Sequence, residues 1–146
     1  MKKFFAFTFS LFLIAATSFA TAGNEPTDKK VAQTFIKFFA SAQSVSWNKA
    51  VTYTQANFLM NGQYLSAYFA PDASMLGVSR NLTSLELPLT LMADLKKNYE
   101  GFWITELFEY GTPDSDAYYV TLENADKKLI LKSNSGRFSI YKNLVK

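Results

Sequence analysis

The chain of 146 residues contains no cysteine and no histidine. Without cysteine there can be no disulfides, so an exported form of the chain must be held by its core alone. A lipid-bearing N-terminal cysteine is excluded as well. Without either residue type, Ser-His-Asp and Cys-His nucleophilic sites are excluded, as are zinc sites built on those ligands. A dominant charge of one sign is also missing: 15 Lys and Arg stand against 12 Asp and Glu, a net +3. Pairs such as Lys96-Lys97 and Lys127-Lys128 are isolated, whereas nucleic-acid binding needs basic residues massed on one face. No nucleic-acid partner is expected. Long apolar runs are absent beyond the N-terminus, so no later segment is expected to span a bilayer.

The N-terminus holds the one long apolar run. Lys2 and Lys3 precede Phe4 to Ala16, which only Thr8 and Ser10 interrupt, and "TSFATAG" follows with small residues at the spacing of a cleavage site. This is the pattern of a secretory signal peptide over residues 1–22, cut after Ala20 or Ala22. About 13 apolar residues fall short of the roughly 20 that a spanning helix needs. The expected location is periplasmic or secreted, with no transmembrane anchor in the mature chain. Losing Lys2 and Lys3 lowers the net charge from +3 to +1. Residues 23–146 suit one domain, and with 49% hydrophobic residues and 14 Phe they can build its core.

After a short lead, "GNEPTD", Thr27 or Asp28 can cap a helix. Val31, Phe35, Phe38 and Phe39 form its apolar stripe, and it should end near Ala42. An extended stretch from Val45 through Tyr53 to Met60, a return strand Gln63–Ala70 and a third strand Met75–Leu82 follow. Pro88 suits the start of a second helix, with Leu91 or Met92, Leu95 and Tyr99 as its stripe and Gly101 as its stop. Strands at 102–110, 117–123, 128–133 and 137–144 complete the chain. The fold class is α+β: a tandem helix-plus-antiparallel-sheet repeat, α-β-β-β-α-β-β-β-β, with the helices on one face of the sheet and the other face open. Aligning Asn61-Gly62 with Ala125-Asp126 overlays two sub-repeats, about 27–82 and 84–146, each with a tryptophan-bearing strand (Trp47, Trp103).

"NFLMNGQYLSAYF", residues 57–69, sets a register. Asn-Gly between alternating runs specifies a two-residue hairpin turn. It pairs Met60 with Gln63, Leu59 with Tyr64, Phe58 with Leu65, Asn57 with Ser66, Ala56 with Ala67 and Gln55 with Tyr68. Phe58, Leu65, Ala56, Ala67 and Phe69 then face the helices. Tyr53, Gln55, Asn57, Leu59, Tyr64, Ser66 and Tyr68 face outward. In the second hairpin Glu123 meets Lys128, Leu122 meets Leu129 and Val120 meets Leu131. That turns Tyr119, Thr121, Ile130, Lys128 and Lys132 outward. In strand 102–110, burying Phe102, Ile104 and Phe108 turns Trp103, Thr105 and Leu107 outward but leaves Glu106 on the apolar side.

The acid–base inventory is thin. Glu106 and Glu109 lie three apart on a strand and point to opposite faces, so they cannot work as a pair. Asp114 and Asp116 share a loop rich in turn formers, with too few oxygen ligands for a calcium site. The chain is expected not to be an enzyme and to need no cofactor or metal.

The quoted motifs "SVSW" (44–47), "YTQANFLMNGQYLSAYF" (53–69), "LG" (76–77), Arg80, "LP" (87–88), Tyr99, "ITE" (104–106) and "YYV" (118–120) resemble the PepSY-like, β-lactamase-inhibitor-protein-like (BLIP-like) small exported bacterial proteins. The resemblance implies a tandem helix-plus-sheet fold over the mature chain. It implies no catalytic residues. β-Lactamase inhibitor proteins dock through an aromatic-rich sheet, so it also implies a binding role, as fold-level analogy. Where such proteins often carry acidic strands, Gln55 and Asn57 are neutral here.

The expectation is therefore an exported, non-catalytic binding module whose open sheet face engages a protein or peptide, with an inhibitor-like role implied by the resemblance. Its candidate contacts are Tyr53, Leu59, Tyr64, Tyr68, Trp103, Tyr119, Ile130 and Lys132, because tyrosine and tryptophan concentrate at binding hot spots. The alternative is a small-ligand or cell-envelope structural protein with a pocket between helices and sheet.

Overall fold

A computed structural model describes residues 28–145. The expected signal peptide, residues 1–22, lies outside the described residues. Asp28 caps the first helix, α1 (Lys29–Phe38), its side chain accepting from Lys30 N at 2.8 Å. Val31 and Phe35 on α1 are buried, while Phe39 packs partly beneath. Phe38 belongs to the expected stripe but is 54% exposed, and the helix ends there rather than near Ala42.

Four strands follow: β1 (Gln43–Lys49), β2 (Thr54–Met60), β3 (Gln63–Phe69) and β4 (Met75–Asn81). The single extended stretch expected over 45–60 is thus a hairpin. Ala50 N donates to Tyr53 O at 2.9 Å across its turn, and Trp47 lies opposite Ala56. Folding back brings both residues under α1, which one straight strand could not do. The Asn61-Gly62 hairpin has the expected register at every pair from Met60–Gln63 to Gln55–Tyr68.

The second half repeats the plan. After a 3₁₀ turn (Ser84–Glu86), Pro88 caps α2 (Leu89–Asn98), and β5 (Trp103–Gly111), β6 (Asp116–Glu123), β7 (Lys127–Ser133) and β8 (Ser139–Val145) follow. All eight strands form one antiparallel sheet in chain order. The α+β class and the segregation of helices onto the sheet hold. The β6–β7 register also matches expectation.

The core is built in two parts. Val31, Phe35, Trp47, Ala56, Phe58, Ala67 and Phe69 pack between α1 and the first four strands. Phe35 sits at the centre, with its ring edge-on to Trp47 at 5.1 Å and Phe58 at 5.0 Å. Leu91 and Leu95 of α2 pack on Leu107, Val120, Leu122, Leu129 and Leu131. Asp94 on α2 reaches the last hairpin, accepting from Phe138 N at 2.8 Å. β4 and β5 join the halves through only four pairs, from Val78–Gly111 to Asn81–Phe108.

Strand β5 corrects the expected facing. A register shift between Ile104 and Glu106 reverses the alternation. Leu107 is buried in the core, not turned outward. Phe108 lies on the outer face, and Glu106 shares that face, accepting from Thr121 Oγ1 at 3.2 Å. Trp103 remains outward and 54% exposed. The two tryptophans of the repeat therefore do different work, Trp47 in the core and Trp103 at the surface.

Candidate functional site

The face of the sheet opposite the helices carries the candidate residues, and it divides into two regions. In the first, β2 and β3 present an uncharged band. Gln55 Nε2 donates to Asn57 Oδ1 at 2.9 Å, and Ser66 Oγ donates to the same oxygen at 2.6 Å. Tyr68 OH and Ser79 Oγ share a hydrogen bond of 3.3 Å. The Tyr68 ring stands edge-on between Tyr53 at 5.7 Å and Tyr110 at 5.9 Å. Such offset ring pairs are individually modest but fix side-chain orientation. Beside this ordered ladder, Leu59 lies opposite Tyr64, whose side chain is 77% exposed.

Tyr110 was not among the expected site residues. Its ring lies directly over Gly77, where an added Cβ would come within 2.6 Å of the ring and of Gly111 O. Its hydroxyl donates to Leu76 O at 3.2 Å. Burial, with smaller contributions from Tyr68 and Tyr119, pushes this phenol up to about 12. A glycine inside a strand signals such a close approach, so Gly77 was the available clue.

The second region, on β5 to β8, is closed by its own side chains. Phe108 stacks on Tyr119 with centroids 5.0 Å apart and planes 9° apart, and Tyr141 meets Tyr119 edge-on at 5.9 Å. Lys132 Nζ sits 5.5 Å from the centre of the Tyr119 ring, a cation–π contact. Tyr119 is consequently only 7% exposed and Ile130 3%. Both lie on the expected side of the sheet, but the expectation that they face a partner is corrected. Strands on either side carry long side chains that cover them. Lys132 is half-buried at the edge of this cluster. The structure thus groups Tyr53, Leu59, Tyr64 and Tyr68 in one band, with Trp103 exposed at the start of β5.

The helix face offers a different feature at the seam between halves. A groove of about 320 Å³ is lined by Leu65, Val78, Ser79, Arg80, Glu109, Gly111 and Asp116. Arg80 Nε donates to Glu109 Oε2 at 2.7 Å across it, and this bond raises the guanidinium further above its ordinary value. Tyr118 is also shifted up, by burial first and by Glu109 second. Among the described residues no group of three or more Asp or Glu could hold a metal ion, and no helix is long and apolar enough to cross a membrane.

An eight-stranded antiparallel meander with both helices on one face defines the class of protein, and solved structures share that fold. No family model matches the chain, and no curated protein matches it. The fold is similar to that of a DUF2874-family protein from Bacteroides ovatus, at 20% identity and TM-score 0.73, covering 84% of this chain and 89% of that one. It is similar to a BLIP-like protein from Bacteroides fragilis at 19% identity and TM-score 0.71, with the same coverage, 84% and 89%. A Bacteroides eggerthii protein, provisionally named as periplasmic, matches at 16% identity and TM-score 0.71 over 83% of this chain and 90% of its own. At such identities the likeness is one of fold. It supports the BLIP-like half of the resemblance, while the PepSY half finds no counterpart in these names.

Proposed function

We propose that this chain is an exported, non-catalytic module that binds a protein or peptide through the uncovered band on β2 and β3. The observation that carries the reading is the exposure of Tyr64, 77%, beside a ladder of rings and amides already held in place. A side chain left this exposed gains little from burial in the free chain, whereas burial of a tyrosine on complex formation is a common source of affinity. Its hydrogen-bonded surroundings reduce the ordering cost of binding. Trp103 is a separate exposed aromatic on the same face of the sheet. The fold shared with a protein named BLIP-like agrees with this reading at the level of architecture.

Tyr68 is a poor choice for testing the site, because it is tied to Ser79, Tyr53 and Tyr110. The informative variant is Tyr64→Ala with Trp103→Ala. The far-UV CD spectrum should be unchanged, while a partner captured by the wild type from an envelope extract and identified by mass spectrometry should be lost. Equal capture by both forms would place the site elsewhere. The small-ligand alternative is less well supported. Packed side chains fill the cores beneath both helices, and the seam groove is crossed by an ion pair between directly opposed residues that clasps β4 to β5.

A further inference from the structure

The last hairpin differs electrostatically from everything before it. From residue 127 onward the chain contains Lys127, Lys128, Lys132, Arg137, Lys142 and Lys146 and not one Asp or Glu. Two carboxylates from earlier in the chain reach this hairpin: Glu123 pairs with Lys128 at 3.2 Å, and Asp94 accepts from Phe138 N, next to Arg137, at 2.8 Å. Lys127, Arg137 and Lys142 are exposed. The whole-chain balance conceals this cationic end, because the preceding residues carry the acids.

The same hairpin supplies an edge of the sheet. β8 pairs with β7 on one side, and among the described residues no strand pairs with its other side. Every residue of β8 except Leu144 is exposed. These include Ile140 at 57%, Tyr141 at 42% and Val145 at 83%. Both edge strands carry a register irregularity, that of β8 falling at Tyr141, where Ile130 and Leu131 pair with Lys142 and Ile140. β1 has a register irregularity between Gln43 and Ser46, with Ser44 at φ 52°, and its Trp47 is buried. What sets β8 apart from β1 is its exposure and its positive charge, not a more regular ladder. On β8, Ile140 and Val145 lie opposite Leu131 and Lys127, and Lys142 lies opposite Ile130. The strand therefore offers apolar groups on its helix-side face and a lysine on its outer face.

We infer that the free edge of β8 is a second docking site, which takes an acidic, extended polypeptide segment as a ninth strand. It goes beyond the β2–β3 band and does not depend on it. The backbone edge selects a polypeptide, since a row of unsatisfied N–H and C=O groups is matched by another extended backbone. The excess of lysines and arginine from residue 127 onward selects an acidic one. Alternate apolar residues in the incoming strand would cover Ile140 and Val145. A second copy of this chain fits less well, because its own β8 brings the same positive charges.

The test uses the purified protein and a fluorescein-labelled peptide of alternating Glu and Val, read by anisotropy at low salt. The same peptide with alternate amides N-methylated, a Lys/Val counterpart, and phosphatidylcholine vesicles containing phosphatidylglycerol serve as the other arms. The Glu/Val peptide should bind, slow hydrogen exchange across 139–145, and weaken as salt screens the charges. N-methylation should weaken binding at least about tenfold by removing ladder hydrogen bonds. Arg137→Glu with Lys142→Glu should do likewise. The Tyr64→Ala, Trp103→Ala variant should bind the peptide as wild type does, which separates this site from the outer band. Absence of Glu/Val binding, equal binding of the N-methylated or Lys/Val peptide, or vesicle binding alone would each overturn the proposal.

Discussion

Tyr110 and Gly77 show how much of the outer face rests on single positions. The Tyr110 ring occupies the space a side chain at 77 would need, with contacts at 2.6 Å to both ring and backbone. Gly77→Ala must push the ring aside or bend β4, at a cost of about 1–3 kcal/mol. A urea titration should show the unfolding free energy falling by that amount, with the midpoint shifted to lower urea. The phenol of Tyr110 also gives the fold an alkaline limit. Its folded pKa, about 12, lies above the ordinary value of 10.0. The group's contribution is therefore intact below about pH 10 and is lost as pH rises toward 12. Stability measured between pH 9 and pH 12 should fall more steeply for the wild type than for Tyr110→Phe. At neutral pH that variant should lose about 1 kcal/mol with the hydrogen bond to Leu76 O. The sequence held only half of this. Gly77 in a strand announced a close approach, but which ring made it depended on the irregularity in β5.

At the scale of elements, legibility followed periodicity. The Asn61-Gly62 hairpin was readable pair by pair, because alternate residues must face alternate sides and a two-residue turn leaves one register. β5 was not, because a shift at Ile104/Glu106 breaks the alternation with no turn residue to mark it. The turn at Ala50–Tyr53 was missed for the same reason: "NKAVTY" contains neither Gly nor Pro. Helix α1 was read correctly except at its end, where Phe39 packs against the core and Phe38 is left exposed. The contrast is measurable. Phe35→Ala removes a ring that touches Phe39, Trp47, Phe58 and Phe69, and should cost about 3–5 kcal/mol. Phe38→Ala, at an exposed position on the same helix, should change stability by about 0.5 kcal/mol or less. Thermal denaturation of the two variants distinguishes them at once.

For the whole molecule, the architecture explains why one face of the sheet is available at all. Two helices cover one side, each over its own four strands, and nothing among the described residues covers the other. The sequence indicated that such a face exists, but not which part stays open. Tyr119 is closed off by Phe108, Lys132 and Tyr141, neighbours that come together only when the strands are in order, and Ile130 is buried as well. What remains exposed is the uncharged band around Tyr64, with Trp103 as a separate exposed aromatic. Because that band has no charged side chain, complex formation through it should respond little to salt, in contrast to the edge of β8.

Hydrogen-exchange mass spectrometry of the chain alone and with its captured partner tests the outer-band reading most directly. Protection should rise in segments 55–66 and 103–106 and stay unchanged in α1 and α2. Protection confined to the helices, with the β2–β3 band still exchanging as in the free chain, would contradict the account.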